Sequence, residues 1–405
     1  MKSSQSHLPS LMSALLFIMG AVVFFSVALI TGITALATLL AGKEVHAQQT
    51  ILCAVSGFEA LILLIAAFIS VQRYRQQPFT QQDFSFRIGV WQIVVYLLLI
   101  AVVVFLGYQF GEKSSFNWLL LPILTIPAVA LPIFVLLGLG VRGIPLGARW
   151  QPWGVFGIAM TLAPFLLILL EVFALFVIVI LAVAFILSQP KLVSDIEHLA
   201  RQIQILGPQQ EALQNLLLPY LTKPGVIGIS LVYVALMVPL IEELIKPLGV
   251  WFFARQLTSP AQGFAFGALS GAGYALIETL GVSGQTEGWA TLLLTRIGTG
   301  ILHITTSALM GAAIVYAVRE RQYLRLLLTY LLAVSMHGLW NGLAILYTVA
   351  TLGKVLHQQT VFNPFQTPLV FGMASLALIY FAVLIFMNNR MKATIPKPAL
   401  EEPTP

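Results

Sequence analysis

Apolar runs long enough to span a membrane recur along the whole chain, separated by short polar links. They lie at about residues 11–41, 50–71, 88–107, 117–140, 158–187, 225–254, 262–284, 289–318, 324–350 and 366–388. A helix needs about 20 apolar residues to cross hydrocarbon, so the pattern predicts an all-α, polytopic transmembrane helix bundle of about ten spans. The first run follows Lys2 and resembles a secretory signal ending near Val45-His46-Ala47. About 30 apolar residues exceed the apolar region of a signal, however, and a retained span is expected. The composition agrees, with 59% hydrophobic and 9% charged residues.

The longest polar stretch, residues 188–222, divides the series in two. Within it Leu192, Ile196, Leu199, Ile203 and Leu206 recur at helical spacing ahead of Gly207-Pro208. An amphipathic helix on the membrane surface and a plain linker both fit. The expected organisation is a five-span N-terminal membrane region (1–187), this polar segment (188–222), a five-span C-terminal domain (223–390) holding the catalytic bundle, and a Pro-rich tail (391–405) expected to be disordered.

Lys and Arg orient the spans, because loops kept in the cytoplasm carry the positive excess. Of the 21 Lys and Arg, thirteen fall on the side of the N-terminus, Arg73, Arg142, Arg149, Arg319 and Arg390 among them, and six on the other. Both termini are therefore expected in the cytoplasm. The net charge of +6 reflects attraction to anionic lipid headgroups of the bilayer and does not argue for a nucleic-acid partner. The single cysteine, Cys53, excludes an intramolecular disulfide and offers no cysteine metal site.

Seven ionisable side chains then stand out inside four late apolar runs: Glu242, Glu243, Lys246, Glu278, Arg296, His303 and His337. Charges at membrane depth are costly, and their clustering marks a functional site. In Glu242-Glu243-Leu244-Ile245-Lys246 the lysine follows the two acids by four and three residues and can pair with either. One acid is left over, the arrangement that tunes a general base or acid. Pro247 cannot donate to the Glu243 carbonyl and should kink the helix. Tyr274 stands one turn before Glu278 in a span rich in glycine (Gly263, Gly267, Gly271, Gly273, Gly281), which permits close helix approach. Arg296 and His303 share a face seven residues apart, and His337 and Asn341 stand one turn apart. Glu59 and Glu171 lie in the N-terminal spans without motif context, where helix-packing hydrogen bonds could satisfy them.

Depth provides an independent check. Counted from the expected cytoplasmic ends, Glu242 lies about 12 residues in, Glu278 about 16, His303 about 15 and His337 about 13. At about 1.5 Å per residue these heights agree within roughly 6 Å.

The ordered motifs Glu242-Glu243-x-x-Lys246, Tyr274-x-x-x-Glu278, Arg296 with His303, and His337-x-x-x-Asn341 resemble those of the PrsW family of intramembrane proteases, related to the CAAX prenyl endopeptidase and bacteriocin-immunity group. The resemblance covers roughly residues 225–350. Two positions depart from the usual pattern: Tyr274 stands where Phe is common, and Thr279 where many members carry Asn. The resemblance implies peptide-bond hydrolysis in or beside a bacterial-type cell membrane. It also implies a transmembrane or membrane-associated protein substrate, an anti-sigma factor being one type.

The corresponding mechanism has Glu242 or Glu243 activate a water, with His303 orienting it or shuttling protons, and His337 and Asn341 stabilise the oxyanion. Lys246 would hold the glutamate pair, with Glu278 and Arg296 in support. No cofactor is expected. Zinc is the chemical variant, with Glu243, Glu278, His303 and His337 as candidate ligands, ranked lower because no His-Glu-x-x-His is present. A nucleophilic Ser307 lacks a Gly-x-Ser-x-Gly context. Two other classes use intramembrane Glu, Lys, Arg and His: a proton-coupled carrier, for which no inverted repeat is visible, and a catalytically silent scaffold, for which a lost motif member would be expected.

Overall fold

The computed structural model describes residues 7–111, 115–207, 209–284, 288–355 and 363–395. The expected tail beyond Ile395, the helix-breaking Pro208, and Lys2 and Lys113 of the charge count lie outside them. Among the described residues ten helical segments are long and apolar enough to cross a membrane. The helices are α1 (Leu8–Leu40), α2 (Ala47–Tyr74), α3 (Val90–Leu106), α4 (Asn117–Gly140), α5 (Trp150–Met160), α6 (Leu162–Leu187), α7 (Pro190–Leu206), α8 (Gln210–Leu217), α9 (Pro224–Val232), α10 (Val238–Ile245), α11 (Leu248–Phe253), α12 (Pro260–Val282), α13 (Trp289–Glu320), α14 (Tyr323–Val355) and α15 (Gln366–Ala393).

The expected spans are present, and two are broken. The fifth begins at Trp150, earlier than the apolar run suggests, and breaks at Thr161 between α5 and α6. Pro164 has no N–H to offer the Met160 carbonyl, and Thr161 leaves helical geometry at φ −124°, ψ −77°. The sixth span breaks twice. A π turn at Tyr233–Met237 separates α9 from α10, and the expected kink at Pro247 separates α10 from α11. The polar stretch 188–222 contains the helix expected from its spacing, α7. It ends at Gly207, whose φ of +61° suits glycine, and it buries none of its residues.

The chain forms two compact units, and each draws on residues from both sides of that polar stretch. The first comprises Met1–Pro164, Glu243–Ala333 and Ala377–Pro405; the second comprises Phe165–Glu242 and Val334–Leu376. In the first unit the outer helices α1 and α3 expose large apolar side chains such as Ile30 and Leu98, as lipid-facing helices do, while α12 and α13 are mostly buried. That buried pair meets backbone to backbone. A Cβ added at Gly267 would lie 2.0 Å from the Ser307 carbonyl oxygen, and one at Gly271 would lie 2.2 Å from that of His303. Lipid provides no hydrophobic force between helices, so close packing along such a small-residue seam supplies the attraction. The seam presents the chemically active residues of both helices to each other. In the second unit the Tyr233 hydroxyl donates to the Glu171 carbonyl at 3.0 Å, tying α6 to the π turn.

Gly267→Val is expected to cost about 3 kcal/mol or more by overpacking, whereas Gly281→Ala, where an added Cβ meets nothing within 4 Å, should leave stability unchanged or slightly raised. Thermal unfolding of the two purified variants in detergent measures the difference.

Candidate active site

In the first unit the polar residues of α10, α12 and α13 form a continuous chain of contacts. Lys246, at the break before Pro247, forms a salt bridge with Glu243, and both side chains are fully buried. Its Nζ also lies 2.9 Å from His303 Nδ1. An ammonium only donates, so Nδ1 accepts and the ring proton resides on Nε2. Nε2 lies 2.8 Å from Glu278 Oε2, which takes that proton's hydrogen bond and also receives Arg296 Nη2 at 2.6 Å. Arg296 Nε donates to Thr279 Oγ1 at 3.2 Å. The ring of Tyr274 stands edge-on to His303, centroids 5.1 Å apart, and faces Lys246 Nζ at 5.6 Å.

The electrostatics of this chain are balanced. Two carboxylates, Glu243 and Glu278, face two fixed cations, Lys246 and Arg296, with a neutral imidazole between. Each buried charge would cost several kcal/mol if left alone, which makes the pairing obligatory. Pro247 frees the helix from its regular hydrogen bonds at this point, and Ser270 Oγ donates to the Lys246 carbonyl at 2.6 Å. Sequence reasoning missed Ser270, although the signal was available. Ser270, Tyr274 and Glu278 follow one another at four-residue intervals on one face of α12. It also treated Thr279 as a mere departure, whereas its hydroxyl provides Arg296 with an acceptor.

In the second unit Glu242 and His337 are both buried, with Oε2 and Nδ1 3.9 Å apart. Asn341 Nδ2 donates to the Val234 carbonyl at 2.9 Å. That carbonyl belongs to the π turn, where the regular helical pairing is interrupted. Gly338 allows the approach, since a Cβ there would lie 2.3 Å from the Ala235 carbonyl oxygen. The His337-Gly338-x-x-Asn341 pattern thus docks α14 against a helix irregularity, and the apolar sequence Tyr233–Met237 gave no sign of it.

The candidate residues are divided between the two units by their place in the chain. Glu243, Lys246, Tyr274, Glu278, Arg296 and His303 come together in the first unit; Glu242, His337 and Asn341 come together in the second. Glu59, buried in α2, takes part in none of the contacts of the first set described above, and Ser307 is fully buried with its carbonyl against Gly267.

The ten spans define an integral, multi-pass membrane protein. The family model described as PrsW family intramembrane metalloprotease matches residues 150–373, more than half of the chain, and the chain belongs to this family. Membership makes it an intramembrane protease, a hydrolase. The match begins at the first residue of α5, well before the motifs, so the fifth span is part of the family region. That span's only ionisable residue is Glu171, which explains why motif reading started the resemblance only at 225. No curated protein and no solved structure matches the chain.

Lys246→Met should destabilise the first unit by about 3–5 kcal/mol, because it leaves Glu243 buried without its cation, and adding Glu243→Gln should recover part of the loss. A double-mutant cycle on unfolding in detergent tests this, and strictly additive losses would contradict the pairing.

Proposed function

We propose that the protein hydrolyses peptide bonds of transmembrane or membrane-associated protein substrates by carboxylate activation of water. The observation that carries this reading is the division of labour between adjacent acids: Glu243 is held by Lys246, while Glu242 sits beside His337. Glu242 takes a proton from the water, whose oxygen adds to the scissile carbonyl. His337 and Asn341 donate to the oxyanion as charge develops, and Glu242 returns the proton to the leaving amine. His303 is fixed in one tautomer by Lys246 and Glu278. Arg296 and Thr279 keep Glu278 in place.

The family description favours a second reading in which a metal takes part. The donors at Glu242 and His337 fit: one oxygen and one nitrogen, buried and 3.9 Å apart, a separation open to two ligands at about 2.0–2.2 Å from one zinc ion. Those at Glu243 and Glu278 fit poorly, since Lys246 and Arg296 already supply the positive charge beside them. Where bound, zinc would contribute Lewis-acid activation of water.

Further parts of the proposal follow from the resemblance and the charge asymmetry. They are kinship with the CAAX prenyl endopeptidase and bacteriocin-immunity group, substrates of the anti-sigma-factor type, and a bacterial-type cell membrane with both termini in the cytoplasm.

Purified protein in vesicles with single-span test substrates provides the test. Glu242→Gln, Glu243→Gln and His337→Ala should each lower cleavage by about 100-fold or more while inserting normally, and Glu171→Gln should change it little. Loss of cleavage on zinc chelation, restored by zinc, would move the reaction to the metal reading. Full activity in any two of the three variants would refute the assignment.

A further inference from the structure

The first unit contains a pocket for which the protease reading has no use. It lies where α4 ends and α5 begins, and its volume is about 310 Å³. Its floor is aliphatic and buried, with Leu137 from α4, Val141 just past its end and Leu269 from α12. Its mouth is aromatic and partly exposed, with Phe84, Phe86, Phe134 and Trp153. The mouth is preformed. Phe84 N–H donates to the Gly147 carbonyl at 2.7 Å, Leu146 N–H donates to the Phe84 carbonyl at 3.1 Å, and the rings of Phe86 and Phe134 lie 4.8 Å apart.

The lining and the surrounding charges specify different parts of one ligand. The volume is at the small end of ligand pockets, about 300–1,000 Å³, and the lining is wholly apolar, so what enters is an aliphatic chain with no polar group to satisfy. Basic residues adjoin the lining residues along the chain. Arg87 follows Phe86 and Arg142 follows Val141, both exposed, and the Lys392 stem lies 3.0 Å from a Cβ built on Gly143. Arg149 is half-buried, within 3.4 Å of the Gln82 side chain. The opposing acid in this loop is Asp83, exposed beside Phe84. Aromatic rings with Lys and Arg at the end of membrane helices suit the headgroup level of a bilayer, where basic pockets bind anionic headgroups.

We propose that this pocket binds an anionic membrane phospholipid, with an acyl chain on the Leu137–Val141–Leu269 floor and the phosphate among Arg87, Arg142 and Lys392. The site bears on the polar chain of the first unit. Leu269 is followed directly by Ser270, whose hydroxyl holds the Lys246 carbonyl, so a chain packed on Leu269 braces α12 at that point.

The test uses the full-length protein in phosphatidylcholine vesicles containing a minor amount of phosphatidylglycerol with a photoactivatable group near the end of one acyl chain. Adducts are mapped by peptide mass spectrometry. They should concentrate on the segments around Phe84–Phe86, Phe134–Val141 and Trp153–Phe156, well above the exposed face of α3. The double substitution Arg142→Gln/Lys392→Gln on the surface should lower phosphatidylglycerol labelling about tenfold or more and leave labelling by a phosphatidylcholine analogue unchanged. Val141→Phe, which fills the floor, should abolish both. Labelling spread evenly over the lipid-facing helices, or equal capture of the two lipids, would overturn the proposal. Loss of labelling on adding a single-span peptide would assign the pocket to polypeptide and overturn it equally.

Discussion

A fully buried ammonium, that of Lys246, sets the terms for the rest of the first unit. An unanswered charge at that depth costs several kcal/mol, comparable with the 5–15 kcal/mol by which a folded domain is stable. Lys246 is answered by Glu243 one turn earlier and by the ring of His303. His303 in turn requires Glu278, and Glu278 requires Arg296. The partners lie on three helices, Glu243 on α10, Glu278 on α12, and Arg296 with His303 on α13, so satisfying the charges fixes the register of all three. The break at Pro247 and the capping hydroxyl of Ser270 are the local concessions that let a helix carry its lysine into this position.

The same constraint explains what the sequence disclosed. Charged residues are so rare in apolar runs that Glu242, Glu243, Lys246, Glu278, Arg296, His303 and His337 identified themselves, and the ten spans followed from run length alone. The kink at Pro247 and the close approach along Gly263, Gly267 and Gly271 were equally legible, because proline and glycine act through backbone chemistry that needs no partner. The features that escaped depend on partners. The π turn at Tyr233–Met237 is an apolar segment like any other until Asn341 and Gly338 are set against it. Ser270 is one small residue among many in α12 until the Lys246 carbonyl lies opposite. The choice of Glu243 as the acid held by Lys246 was likewise open at spacings of both three and four.

Family membership and geometry supply different kinds of knowledge. The matched region, residues 150–373, establishes an intramembrane protease and brings the fifth span into the family core. The distances then suggest how labour is divided among its acids: one carboxylate bound to a lysine, one beside an imidazole, and one shared by an imidazole and a guanidinium. Charges inside hydrocarbon must be compensated by one another, and here a lysine, an imidazole and a guanidinium share that task.

The seam between α12 and α13 carries a mechanical consequence. With carbonyl oxygens of α13 against the glycines of α12, the seam leaves no room for a side chain between the two helices. The sixth span, by contrast, changes hydrogen-bond register at the π turn and breaks at Pro247. Bending concentrates where a rod is already notched. The stretch that carries Glu242 and Glu243 thus lies between two breaks in helical geometry, while Glu278 and His303 lie on the uninterrupted helices α12 and α13.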